Sequence, residues 1–241
     1  MKIVFMGTPD FSVPALEELA KVHQVAAVVT QQDRPKGRGH KMQYTPVKEK
    51  ALELNIPVYQ PEKVKNPEFV DILREINPDV IVVIAFGQIL SKEILDLPKY
   101  GCINVHASLL PKYRGAAPIQ WAVIDGEEET GVTTMYMAEG LDTGDVIDTA
   151  VIKLDEKETG GSLFDKLAIE GGKLIVETLS KLENGTATRT PQDDEKSSYA
   201  GKITKELGQI DFTKPAVTIE RLIRGLNPWP SAYTTLDGKA M

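Results

Sequence analysis

GCINVHASLLPKYRGAAPIQW, residues 101–121, is the stretch that decides how the chain is read. Its opening, Gly101 to Ala107, has the pattern of a short strand. Side chains alternate faces along a strand, so Cys102, Asn104 and His106 point one way while Ile103 and Val105 point the other. An apolar face is thus opposed by one carrying an amide and an imidazole, two residues apart, at the strand's C-terminal end. Open α/β sheets bind ligands at that end, where loops and helix N-termini converge. Ser108 to Pro111 then leads into a loop with Arg114 and Gly115, and Pro118 stands where a helix can begin. A lone histidine on a strand is more often a satisfied core group than a ligand. Asn104 and His106 together, just before Ser-Leu-Leu-Pro, turn the reading toward a site.

On the N-terminal side, Asp79 to Phe86 (DVIVVIAF) is a continuous β-branched run, as expected in the middle of a parallel sheet. Lys2 to Gly7 and Val25 to Thr30 read as further buried strands, and Pro57 to Gln60 as a short one. Between them, Phe11 to Val22 has a helical spacing of Leu16, Leu19 and Ala20, with Ser12 as its expected N-cap. Thr45 with Pro46, and Asn66 with Pro67, open two more helices, and Ala117 to Asp125 a third. Strands alternating with helices predict an α/β fold with a doubly wound, mostly parallel, Rossmann-like sheet. A dinucleotide loop would need three glycines after the first strand, and GTPDFS has one; Gly7 reads as a tight turn rather than a phosphate cradle.

After residue 130 the pattern changes. Gly131 to Ala138 and Gly144 to Leu154 alternate as strands around Glu139-Gly140-Leu141-Asp142-Thr143-Gly144. Glycines on both sides of Asp142 place its carboxylate on a bent loop, either as a turn former or facing a ligand. Thr159 to Leu182 is a long amphipathic helix stopped by Asn184-Gly185, with Gly171-Gly172 as an expected kink. These readings divide the chain into an α/β domain over 1–185, a polar linker over 186–206, and the opening of a second, β-rich domain over 207–241. In that last part Ala216 to Leu226 is a helix, Asn227-Pro228-Trp229-Pro230 a rigid corner and Ser231 to Leu236 a strand. One strand cannot satisfy its own edge, so this tail either begins a domain continued elsewhere or packs on the first.

Composition narrows the function. The 241 residues carry a net charge of −7, which gives no whole-molecule attraction to nucleic acid; any such contact must be local. The local candidate is Gln31 to Tyr44, where Arg34, Lys36, Arg38 and Lys41 are spaced by Gly37 and Gly39 with only Asp33 opposing. It reads either as a solvated loop or as a phosphate-backbone contact. The single Cys102 excludes an internal disulfide, and no Cys/His group has metal-ligand spacing. No apolar run is long enough for a membrane span and the N-terminal run is too short for a signal peptide, so a cytoplasmic protein is expected.

With NVHASLLP at 104–111 and LDTG at 141–144 in place, the sequence resembles the formyltetrahydrofolate-dependent formyltransferases. GVTTMYMAEGLDTGDVI at 131–147 is similar to that family's active-site pattern. GTPDF at 7–11, QQDRPKGRGHKM at 31–42, VKEKA at 47–51 and NPWPSAY at 227–233 point to the members that formylate methionyl initiator tRNA. The resemblance implies that Asn104, His106 and Asp142 are catalytic, with 10-formyltetrahydrofolate as formyl donor and no metal. It implies that the pterin lies against Gln88, Ile89 and Leu90 and against Met137, Ala138, Glu139, Gly140 and Leu141. Ser108, Leu109, Leu110 and Pro111 would line the folate pocket. Arg38 matches a residue that touches the tRNA acceptor end, and Arg34, Lys36 and Lys41 share its loop. The family also carries a C-terminal β-barrel that helps hold tRNA, of which only the opening elements occur in this sequence. A monomer is expected.

Such a site needs donors for the charge that develops on a formyl oxygen when an amine attacks. Asn104 and His106 can supply them, while Asp142 can orient His106 and pass a proton through a water. Rival readings are formylation of a small amine, such as an amino-sugar nucleotide or glycinamide ribonucleotide, and a non-catalytic folate- or RNA-binding module. Oxyanion donors have no use in ligand storage, and the basic loop has none in a small-amine enzyme.

Overall fold

The computed structural model describes residues 1–36, 41–236 and 239–240. In chain order it forms β1 (Lys2–Gly7), α1 (Val13–Val22), β2 (Gln24–Val29), β3 (Arg34–Lys36), β4 (Lys41–Gln43), α2 (Pro46–Glu53), β5 (Val58–Tyr59) and α3 (Pro67–Ile76). There follow β6 (Val80–Ile84), α4 (Lys92–Leu95), β7 (Cys102–His106), β8 (Arg114–Gly115), α5 (Pro118–Asp125), β9 (Glu129–Tyr136), β10 (Val146–Lys153) and α6 (Gly160–Glu183). The chain ends with β11 (Tyr199–Ala200), α7 (Ala216–Gly225), β12 (Thr235–Leu236) and β13 (Lys239–Ala240).

The main sheet has the order β10-β9-β7-β6-β1-β2-β5. Strands β7, β6, β1, β2 and β5 are parallel, and β9 and β10 add an antiparallel margin. The all-apolar β6 is central, as its composition predicts, because a strand buried on both faces has no use for polar alternation. The chain leaves β1 for β2 on one side and later crosses to β6 on the other. This switch opens a crevice at the C-terminal ends of β1 and β6.

Two cores flank the sheet. On one face Leu16 and Leu19 of α1 and Leu163, Leu167 and Ile175 of α6 pack with Ile103 and Val105 of β7. On the other, Phe69, Val70 and Leu73 of α3 and Ile94 of α4 pack with Ile81, Val83 and Cys102. Strand alternation puts Asn104 and His106 on this second face, beyond Cys102. Burial and the nearby Asp96 charge push the Cys102 thiol up to about 12, so it stays protonated and inert.

Four local expectations are corrected. Ser12 makes no side-chain cap; a 3-10 turn over Asp10–Ser12 precedes α1, and the Ser12 hydroxyl donates instead to the Ile84 carbonyl at 2.8 Å. The described ends of the 31–44 segment are not loop but antiparallel strands, with Arg34 opposite Gln43 and Lys36 opposite Lys41. Gly171-Gly172 does not interrupt α6; a Cβ on Gly172 would lie 3.2 Å from the Pro14 carbonyl and the Ala15 nitrogen, so the glycine lets the start of α1 approach. The expected strand over 231–236 shrinks to Thr235–Leu236. Ser231 is left-handed at φ 72°, and the Tyr233 backbone bonds to Gly208 and Ile210 instead. Within the tail, α7 packs against α5. Leu226 joins Ala117 and Ile203 in a small core, and Gly225 lies close against Gln120 and Ile124 of α5.

The long α6 has a capping box, with Thr159 and Ser162 bonding each other's backbone N–H. Glu158 is 2% exposed just before it and accepts from Lys166 Nζ at 2.5 Å and from Ser162 Oγ. Burial pushes this carboxyl's pKa up, but the bonds from Lys166, Ser162 and the Asp155 N–H outweigh burial and hold it below the ordinary value. A depressed carboxylate contributes stability that is present above its unfolded pKa and lost as pH falls through its folded one. Glu158→Gln is therefore expected to cost about 1–2 kcal/mol at neutral pH. The difference from wild type should fade once the pH drops below about 4.5. Thermal melts across pH check this, and equal melting temperatures at pH 7 would refute it.

Candidate active site

His106 ends β7 and is 7% exposed. Its Nε2 lies 2.9 Å from the Tyr113 carbonyl. A carbonyl can only accept, so Nε2 carries a proton, and Nδ1 is left as the nitrogen that can gain or give one. Nδ1 faces Asp142 Oδ2 at 3.7 Å. That is beyond hydrogen-bond length, a separation a bridging water or a tightening on substrate binding would close. Asn104, two residues earlier on the same face, donates one amide hydrogen to the Val83 carbonyl at 3.1 Å. Its amide group has a second N–H for a ligand.

Asp142 reaches His106 by an unexpected route. Strand β9 runs against β7, pairing His106 with Thr133 and Ile103 with Tyr136, so the chain leaves β9 near the start of β7. The 137–144 loop must then travel back over the second face to bring Asp142 to His106. Met137 ties its start to the Cys102 carbonyl at 2.8 Å. Asp142 itself is left-handed at φ 52°, a conformation Asp and Asn tolerate better than most residues. Its Oδ2 accepts the Gly115 N–H at 2.8 Å. Gly115 has φ 117°, and a Cβ there would sit 2.8 Å from the Ala200 carbonyl, so only glycine presents that N–H.

The imidazole has equally deliberate support. Tyr113, whose carbonyl fixes Nε2, is left-handed at φ 59°. Its hydroxyl shares its one hydrogen between Asp125 and Glu127, at 3.0 and 2.8 Å, and its N–H donates to Ser198 Oγ at 2.8 Å. Burial, then those two carboxylates, push the phenol's pKa far up, so it remains a donor. The residues around the triad that the sequence reading left without a role are Tyr113, Arg114, Gly115, Ser198 and Gln192. Positive φ at 113 and 115 has no signature in composition, and Ser198 and Gln192 lie in the stretch read as linker.

The expected folate contacts fall into three groups. Gln88 turns its side chain away, accepting from the Val64 N–H at 2.8 Å; Leu90 is buried, and Ile89 is 87% exposed. On the 137–141 arm Leu141 is 59% exposed, and Ala138, Glu139 and Gly140 are exposed beside it. The Ser108–Pro111 turn folds inward: Ser108 is fully buried and donates to the Lys112 carbonyl at 2.6 Å, and Leu110 N–H bonds Thr133 Oγ1 at 3.2 Å. Leu109 and Pro111 are half-buried on its flank.

At the switch point, a cleft of about 480 Å³ is bounded by Thr8, Gln31, Arg34, Tyr44 and Ala85 to Gly87. Thr8 Oγ1 and Gln31 Nε2 both donate to the Phe86 carbonyl, at 3.0 and 3.1 Å, and hold its rim. Arg34 is exposed at the mouth, and Lys36 and Lys41 lie on the adjoining strands. Arg38 lies outside the described residues. Asp33 does not oppose these cations: it pairs with Lys48 at 2.5 Å and accepts from Gln60 at 2.8 Å. Another cleft, about 640 Å³, opens at the start of β7 along Tyr136 to Glu139, at the other end of the strand from His106. Among the described residues no three His, Cys, Asp or Glu side chains converge as a metal set, and no helix is long and apolar enough to cross a membrane.

An amide donor, an imidazole with one nitrogen held and one open, and a carboxylate facing the open nitrogen stand together on a doubly wound sheet, an arrangement that can donate to a carbonyl oxygen under attack and take up a proton. Residues 1–179 match the formyl transferase family, and residues 202–241 match the formyl transferase C-terminal domain. The chain belongs to the formyltransferase family. The methionyl-tRNA formyltransferase of Agathobacter rectalis is 65% identical over 99% of the chain and 77% of its own length. That of Clostridioides difficile is 59% identical over 100% of the chain and 78% of its own length. Among solved structures, the sugar 3N-formyltransferase WlaRD superposes with a TM-score of 0.75 at 22% identity, over 100% of this chain and 84% of that one. The N-formyltransferase of Helicobacter canadensis gives 0.73 at 22% identity, over 99% and 85%. At such identity the likeness is one of fold.

Proposed function

We propose that the chain transfers the formyl group of 10-formyltetrahydrofolate to the α-amino group of methionyl initiator tRNA, acting as a monomer in the cytoplasm. The observation that carries this is the 65% identity to a methionyl-tRNA formyltransferase across 99% of a chain that also sets His106 Nδ1 against Asp142. The donor supplies the electrophilic formyl carbon. Two large apolar side chains, Ile89 and Leu141, stand exposed on the two loops assigned to the pterin, which suits a flat heteroaromatic ring. Asn104 donates its second amide hydrogen, and His106 its Nδ1 proton, to the formyl oxygen as negative charge gathers there. Asp142 holds the imidazole in line for that donation. It also receives the proton released by the attacking amine, directly or through a water. That proton passes to N10 of the donor as the bond between N10 and the formyl carbon breaks and tetrahydrofolate leaves. With Nε2 tied to Tyr113, proton traffic is confined to Nδ1.

The acceptor end is assigned to the cleft beside Arg34, with Lys36, Arg38 and Lys41 gripping phosphates, and residues 207–241 open a second, tRNA-holding domain after the linker over 186–206. The test is formylation of methionyl initiator tRNA against an amino-sugar nucleotide, at two salt concentrations, in wild type, Arg34→Ala and Arg38→Ala. Each lost phosphate contact should flatten the slope of log affinity against log salt by about one unit and leave the KM for the folate unchanged. Equal slopes in all three proteins would remove the loop from tRNA binding. Faster turnover of the sugar amine would transfer the whole reading to a small acceptor.

A further inference from the structure

We propose that Gln192 is a positioning residue for the formyl transfer, acting through Asp142; the inference rests on the reading of Asp142 and His106 as the proton-handling pair. The Asp142 turn has little packing of its own. Glu139 to Leu141 are exposed, Asp142 is left-handed at φ 52°, and its carboxylate stands 3.7 Å from the nitrogen it serves. Something outside the loop must set that distance. Gln192 Nε2 donates one hydrogen to the Asp142 carbonyl at 2.8 Å and the other to the Gly144 carbonyl at 2.7 Å. It thereby spans the turn from behind the catalytic carboxylate.

The amide cannot flip. Its Oε1 accepts from Arg114 Nε at 3.0 Å and Nη2 at 2.8 Å, a two-point clamp that only the oxygen can satisfy. Arg114 Nη2 is itself held by Asp194 at 2.8 Å. The next residue, Gly115, sends its N–H to Asp142 Oδ2 at 2.8 Å. One dipeptide therefore orders Asp142 twice, its side chain directly and its main chain through Gln192. Two residues before Gln192, Thr190 pairs with Val146 by two backbone bonds of 2.9 Å, which seats the segment against the start of β10. A stretch that reads as polar linker is thus a strap across the back of the catalytic turn.

Gln192→Glu keeps the length and the oxygen that Arg114 grips but turns a second oxygen toward two carbonyls, so the turn loses its clamp. A misplacement of this kind is expected to lower kcat by roughly 10- to 100-fold with the KM for the folate unchanged. Turnover is measured on protein shown to be folded at the assay temperature, since two carbonyls without a donor also lower the melting temperature. In the Asp142→Asn background the same change should cost little further, because the group it positions is already disabled. Arg114→Lys, which removes the two-point clamp from the other side, should show the same dependence on background and serves if Gln192→Glu does not fold. The proposal is overturned by wild-type kcat in Gln192→Glu, by losses that multiply in the double variant, or by a loss that the unfolded fraction accounts for. Wild-type activity in Asp142→Asn alone would overturn the acid–base reading, and this inference with it; a crippled Asp142→Asn beside a fully active Gln192→Glu would remove this inference only.

Discussion

Asn104→Ala and His106→Ala are each expected to lower kcat by about 10²- to 10³-fold, the loss measured when one donor to a developing oxyanion is removed. The donor's KM should change little, because both groups act on charge that exists only in the transition state. Stability will shift by a separable amount. Asn104→Ala leaves the Val83 carbonyl without its 3.1 Å bond, and His106→Ala leaves the Tyr113 carbonyl without its 2.9 Å bond. Each orphaned carbonyl costs about 1–3 kcal/mol, which lowers the melting temperature but leaves a folded population at assay temperature. Turnover measured on protein shown to be folded by circular dichroism is the decisive quantity. Near-normal kcat in either variant would mean that the oxyanion is held by something other than this pair.

The sheet was legible because its strands are written in a simple code: β-branched runs such as Val80–Ile84, glycine or proline at the joints, and amphipathic spacing in α1 and α6. Asn104 and His106 were legible for the same reason, since period-two alternation puts them on one face whatever the fold around them. Asp142 was identified by resemblance, but its approach to His106 depends on β9 being antiparallel to β7, and no local pattern states a strand's direction. The supporting shell was harder still. Tyr113 and Gly115 act through backbone groups at positive φ, and Gln192 acts across 50 residues of chain onto the Asp142 carbonyl. Polar composition over 186–195 signals exposure, and exposed chain can equally be a tether or a strap. Ser12 shows the converse failure: a residue suited to a cap was recruited by a closer carbonyl, because tertiary partners outbid local ones once the sheet has formed.

Asp142→Asn tests whether the carboxylate's charge, rather than its shape, drives the transfer. Asn is among the few residues that occupy a left-handed position at low cost, so the φ of 52° is kept. The oxygen facing His106 is the same atom that accepts the Gly115 N–H at 2.8 Å. That N–H requires an acceptor, so the amide of the variant will orient its oxygen there and turn its nitrogen outward. The Gln192 bond to the main-chain carbonyl is untouched. Geometry and folding therefore survive, while the charge that faces Nδ1 and receives a proton from the amine is gone. A fall in kcat of about 10²- to 10⁴-fold is expected, the range of a general acid–base contribution, with the KM for the folate unchanged. The loss should persist across the pH range, because the variant has no carboxylate to complete the relay at any pH. Steady-state kinetics over a pH series on methionyl initiator tRNA measures both. An unaltered profile with unaltered kcat would leave His106 working alone and Asp142 as a turn residue.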